Sequence, residues 1–188
     1  MTMNVQYSSS LLLIWQVAEY EARQLKASTI EPNHLLLGLT KSVDLDLKTL
    51  VSKEASHCDD LLEECLREVR RLRNVFRSAN LNAAIFRRRL RRVSDPHRLN
   101  FAQSEHLHRS AAAKRIFSDA EHLTQLTDIY VYPIHLLFSV LATKDEQRDE
   151  VLKGLGIDNK LLFKALNQEL IFAPSIMQTT KNEEARWN

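Results

Sequence analysis

Apolar positions recur at helical spacing along most of the chain. Leu11, Ile14, Trp15, Ala18, Ala22 and Leu25 fall three or four apart and predict an amphipathic helix to about Lys26, with Ser8, Ser9 and Ser10 available as N-cap. Ser28 to Pro32 reads as a connection, Asn33 can cap a helix through Leu39, and Asp44 to Val51 suggests a short further one. A second stripe begins near Ser110 with Ala113, Ile116, Phe117, Ala120 and Leu123, and Ile134 to Ala142 follows it. Asp145 to Lys153 predicts a helix that runs into Gly154 and Gly156, both suited to a left-handed C-cap. The last predicted helix, Leu161 to Ile171, has Asp158 or Asn159 as its cap, and Pro174 stops it.

Between these two groups the pattern changes. Cys58, Leu62, Cys65, Val69, Leu72, Phe76, Ala79, Ala83, Phe86, Leu90 and Val93 alternate steps of four and three, a heptad seam that Asn80-Leu81-Asn82 can interrupt. One long helix and two consecutive helices both satisfy it. The seam suits a helix packed on its own domain. A parallel dimeric coiled coil would set Arg73, Arg87 and Arg89 against like charges, whereas an antiparallel pair would not.

The two outer groups are copies of one another. Ala18-Glu19-Tyr20-Glu21-Ala22 precedes Pro32-Asn33-His34-Leu35-Leu36, and Ala120-Glu121-His122-Leu123 precedes Pro133-Ile134-His135-Leu136-Leu137. Each is a helix, a turn, a proline and a second helix. Such duplication implies two equivalent units that bury their apolar faces on each other. The chain divides into a flexible N-terminus (1–9), a first repeat (10–53), an arginine-rich helical insert (54–108), a second repeat (109–172) and a polar tail (173–188).

Composition narrows the function. At 188 residues, with 44% apolar and 27% charged side chains, the chain can bury a core of ordinary size. Three glycines favour an all-α fold and cannot supply a phosphate-binding loop or a dinucleotide-binding turn. Cys58 and Cys65 lie about 10 Å apart along a helix, too far for a disulfide, and read as reduced core residues. Leu11 to Trp15 is too short for a signal core or a membrane span, so a cytoplasmic protein is expected.

The paired motifs resemble the Clp N-terminal domain, the double four-helix repeat at the front of the Clp/Hsp100 unfoldases. His34 to Leu39 and His135 to Leu141 match its His-Leu-Leu-Leu-Gly-Leu helix. Val151-Leu152-Lys153-Gly154-Leu155-Gly156-Ile157-Asp158 matches the segment that follows. The resemblance implies an all-α pseudo-twofold fold and a non-catalytic protein-binding module: an accessory or adaptor of a Clp-type protease or unfoldase, or its substrate-recognition domain. The layout is similar to that of the small accessory Clp proteins of plastids, and equally to a fragment of a longer unfoldase. His34, His135, Gly154 and Gly156 then belong to the fold-keeping motif. An apolar groove on such a module would draw on Trp15, the helices opening at His34 and His135, and the Leu136-Leu137-Phe138 run. In bacterial relatives a glutamate before each motif histidine recognises phosphorylated arginine. Asn33 and Ile134 stand there instead, so that activity does not carry over.

The insert departs furthest from the pattern. Eleven arginines and two acids between Arg67 and Arg98 give this segment +9, and with a total of +2 the remainder carries −7. Arg87, Arg88, Arg89, Arg91 and Arg92 offer a cationic face for an acidic protein, a phosphorylated ligand or nucleic acid, with the acidic protein ahead of nucleic acid. The alternative is that the arginines pair internally, with Asp59, Asp60, Glu63, Glu64, Asp145 and Glu146 as available acids, or are simply solvated. His57, Cys58 and Cys65 lack the paired spacing of a metal site, His106 and His108 have no obvious partner, and no nucleophile or acid–base pair stands out. Neither a cofactor nor a metal is expected.

Overall fold

The computed structural model describes residues 5–46, 59–94, 107–124 and 130–171. Helices dominate: α1 (Ser9–Gln24), α2 (Pro32–Ser42), α3 (Asp59–Ser78), α4 (Ala83–Ser94), α5 (Ala111–Thr124), α6 (Pro133–Ala142), α7 (Glu146–Gly154) and α8 (Asn159–Ile171). Four two-residue strands join them: β1 (Gln6–Tyr7), β2 (Thr29–Ile30), β3 (His108–Arg109) and β4 (Tyr130–Val131). The strands lie where an N-terminal tail and plain connections are expected from sequence.

Pseudo-twofold symmetry extends to single hydrogen bonds. β1 pairs in parallel with β4, and β2 with β3, so the strand before each repeat's first helix joins the strand before the other repeat's second helix. Ser8 N–H donates to Val131 O and Ser110 N–H to Ile30 O, both at 3.1 Å. The hydroxyls of the same two serines cap α1 and α5 by accepting from Leu11 N and Ala113 N. α1 packs on α2 and α5 on α6, while α3 packs on α8 and α4 on α7, so the back halves of the two repeats interlock. One apolar core runs through both, from Leu11 and Ile14 through Leu72, Phe86 and Leu90 to Ile116, Leu136 and Leu166.

The seam is two helices. Asn80 takes φ +53°, and Leu81 N–H then closes onto Phe76 O. Gly156, at φ +70°, ends α7 in the same way, with Ile157 N–H on Leu152 O. Asn82 caps α4 as Asp158 caps α8. Asparagine tolerates the left-handed region well enough to stand in for glycine. The expected insert therefore contains the counterpart of the second repeat's α7–α8 turn and final helix, rather than replacing it. Gly154 ends α7 in ordinary conformation, so of the two glycines only Gly156 needs the left-handed region.

Other differences are local. Glu31, rather than Asn33, is the N-cap of α2, since Pro32 is fixed for the first helical position. α2 continues past Leu39 to Ser42. Cys65 is a partly buried thiol whose pKa burial pushes up to about 11. The helix expected over 44–51 falls mostly outside the described residues, as do His57, Cys58, His106 and the tail after residue 171.

Candidate functional site

The two motif histidines hold the start of each repeat's second helix. His34 Nδ1 accepts from Glu31 N–H at 2.9 Å, and His135 Nδ1 accepts from Tyr132 N–H at 3.1 Å. Each ring thus satisfies a backbone donor at its own helix N-terminus. Burial holds both pKa values down, that of His135 to about 4 with help from the Arg71 charge, so both rings stay neutral acceptors. Beside them, Ile134 is buried and Asn33 half-buried. Neither presents a charge.

The second repeat opens a cleft of 740 Å³ between α5, the end of α6 and the start of α2. Ala111, Ala112, Ile116 and Leu123 form one wall, Phe138, Ser139 and Ala142 the other, and Pro32 closes one end. Arg115, Asp119 and Lys144 add charge to the lining. Phe138 meets Phe163 edge-on at 5.8 Å, which fixes its ring at the cleft wall.

The equivalent space in the first repeat is filled. Gly38 occupies the position of Ser139, and a Cβ there would stand 2.7 Å from Ile14 O and 3.1 Å from Ala18 N. α1 and α2 therefore touch backbone to backbone. Glu21 replaces Leu123 and Lys41 replaces Ala142. Glu21, 2% exposed, accepts from Arg91 Nε and Nη2 at 2.7 and 2.6 Å and from Lys41 Nζ at 3.1 Å. Burial alone would raise the Glu21 pKa, but the bonds from Arg91 and Lys41 outweigh it and hold the carboxyl below its ordinary value.

Trp15 does not join Phe138 in the cleft. It stacks edge-on against Phe117, its pseudo-symmetric counterpart, with the Arg109 guanidinium 5.6 Å from its ring centre. Sequence reasoning missed the Gly38/Ser139 contrast, although both residues stand in plain view at the matched position of the repeat.

The arginines divide into two sets. Arg87 donates to Thr40 O and pairs with Asp44 at 2.6 Å. Arg89 reaches Gly154 O, Arg73 reaches Val43 O, Arg91 grips Glu21, and Arg71 holds Glu169. The acids used are thus Glu21, Asp44 and Glu169, none of them among those the sequence offered, because tertiary packing brings distant helix faces together. Arg88 and Arg92 on α4, with Arg67, Arg70 and Arg77 on α3, are exposed and make no ion pair among the described residues.

Among the described residues, no three His, Cys, Asp or Glu side chains gather where they could hold a metal ion. No described helix is long and apolar enough to cross a membrane.

No family model matches the chain, and no curated protein matches it. Solved structures do. The N-terminal domain of Hsp104 from Candida albicans shares 17% identity at a TM-score of 0.61, over 86% of this chain and 89% of that one. A structure described as a preliminary structural investigation of a malarial protein secretion system shares 16% identity at a TM-score of 0.61, over 90% and 97%. The N-terminal domain of the caseinolytic protease associated chaperone ClpD from Arabidopsis thaliana shares 19% at 0.56, over 88% and 97%. The fold is that of a Clp/Hsp100 N-terminal domain.

Proposed function

We propose that the chain is a non-catalytic protein-binding module of a Clp-type ATP-dependent protease or unfoldase system, acting in the cytoplasm as adaptor, accessory subunit or substrate-recognition domain. The observation that carries this reading is that, of the two matched helix pairs, the second opens a groove. Two matched helix pairs start from the same plan, and the one with Ser139 stands apart while the one with Gly38 is shut. A mostly apolar cleft with a few charged groups suits an apolar segment of a protein partner. The neighbours named Hsp104 and ClpD are N-terminal domains of chaperones, which supports the same reading.

Fluorescently labelled β-casein, an unfolded protein, is a suitable probe. Ala112→Trp places a bulky ring in the cleft from an exposed position and should weaken casein binding by about tenfold or more, as expected where a few contacts dominate. Equal binding by the wild type and a folded Ala112→Trp variant would remove the cleft from the reading.

A second reading rests on the exposed arginines. Arg67, Arg70 and Arg77 on α3 and Arg88 and Arg92 on α4 would take an acidic partner or nucleic acid, and the protein would act as a regulator on this scaffold. Such binding should fall steeply with salt and with Arg88→Glu/Arg92→Glu. Duplex binding that is insensitive to both would dismiss it.

A further inference from the structure

Glu68 is a buried carboxyl with an incomplete set of partners. It lies on α3, 5% exposed, and turns toward the start of α1. Its Oε2 accepts from the Ser8 hydroxyl at 2.9 Å and from the Ser10 hydroxyl, while Oε1 is buried with no hydrogen-bond partner among the described residues. No cation forms an ion pair with it among the described residues. Arg71, one turn on, is committed to Glu169 on α8. Glu64 and the Cys65 thiol lie on Glu68's own helix, α1 brings only hydroxyls, and His135 on α6 is neutral and senses Arg71.

A charge in this setting has two hydroxyl donors where water would give it several more, and a buried carboxylate without a cation is strongly disfavoured. The neutral acid escapes that cost. We infer that Glu68 is a proton-operated latch, which when neutral fastens the start of α1 to α3 and when ionised releases it. The released segment is short. Ser8 caps α1, and its N–H ends the β1–β4 pairing on Val131 O, so freeing Ser8 loosens one end of that pairing, while the Tyr7 hydroxyl still donates to Glu121 on α5. β4 leads directly into α6, which carries Phe138 and Ser139. Any effect on partner binding rests on the cleft reading above, whereas the latch does not.

Burial raises the Glu68 pKa to about 7, against the bonds from Ser10 and Ser8 that lower it, with Glu64 adding to the rise and Arg71 opposing it. A carboxyl raised in the folded state stabilises the fold most below its unfolded value of 4.5 and loses that contribution as pH climbs through about 7. The full loss is about 300-fold in the folding equilibrium. His135 works in the opposite sense. Its pKa is depressed from 6.5 to about 4, so its contribution is complete above 6.5 and is lost on acidification. The two partly cancel in the wild type, and Glu68→Gln separates them.

The test is a carbon-detected NMR titration of the full chain, with amide exchange of residues 8–14 at pH 6 and 8. Glu68 should titrate near 7, and local opening, corrected for base catalysis, should rise about tenfold across that interval in the wild type and stay level in Glu68→Gln. Ser10→Ala removes a donor to the charged form and should move the midpoint higher. A Glu68 that titrates with the ordinary carboxylates, or equal pH dependence of opening in Glu68→Gln, overturns the latch. If Glu68→Gln does not fold, the wild-type titration decides alone.

Discussion

Gly38→Leu should destabilise the protein by about 3 kcal/mol or more, because the new side chain must enter where α1 and α2 share backbone contact. Even a methyl group is too large. The obstructing atoms are Ile14 O and Ala18 N, fixed parts of a helix rather than flexible side-chain ends. Gly38→Ala gains about 1 kcal/mol of helix propensity and loses more than that to overpacking, for a net cost of about 1 kcal/mol. Ser139→Ala is the matched control in the second repeat. It removes a buried hydroxyl without a hydrogen-bond partner among the described residues, so its stability should equal the wild type's or exceed it by up to about 1 kcal/mol. Urea denaturation of the three variants checks this. If Gly38→Leu is as stable as Ser139→Ala, the helix pair is not shut by contact, and the asymmetry of the two grooves has another origin.

Arg91→Ala should cost about 2–3 kcal/mol. Glu21 is buried, and without Arg91 it keeps only Lys41 among the described residues, which leaves a carboxylate two charge-assisted bonds short. The value is set below the usual range for a broken buried pair because the Arg91 side chain is 40% exposed and its charge is screened. The pH dependence gives a second check. The Glu21 pKa is depressed on folding, so its stabilising contribution is present above the unfolded value of 4.5 and lost as pH falls below it. Arg91→Ala should flatten that acid loss, and Glu21→Gln/Arg91→Ala should recover part of the stability. An Arg91→Ala variant as stable as the wild type would mean that solvent, rather than arginine, balances Glu21.

The fold was legible where the repeat was intact. Pro32-x-His34 and Pro133-x-His135 announced paired helix starts, and the apolar spacing of Leu11 to Leu25 and of Ala113 to Leu123 announced the helices before them. The pattern failed at Asn80. An asparagine in the left-handed position of Gly156, and Leu81-Asn82 in place of Ile157-Asp158, preserve the turn while erasing its sequence signature. The second half of the first repeat therefore looked like foreign material. Two-residue strands leave no periodicity to detect, so β1 to β4 passed as tail and linkers. Phe138 lines the cleft because it belongs to a motif helix. Trp15, also a groove candidate, sits by its register against Phe117. Which arginines were structural was hidden for a different reason: their partners at Glu21, Asp44 and Glu169 come from helices far away in sequence.

The crossed strands bear on how the chain is made. Gln6 pairs with Tyr130, and Thr29 with His108. A ribosome delivers the chain from its N-terminus, so β1 waits for its neighbour until the polypeptide has grown past Val131. α1 and α2 are synthesised long before the strand and helices that complete their surroundings. Contacts this distant in sequence are slow to form, because the intervening loop must be closed before they repay it. For that interval the nascent chain carries an exposed apolar face and an unpaired strand, and must be shielded or kept dilute until its second half arrives.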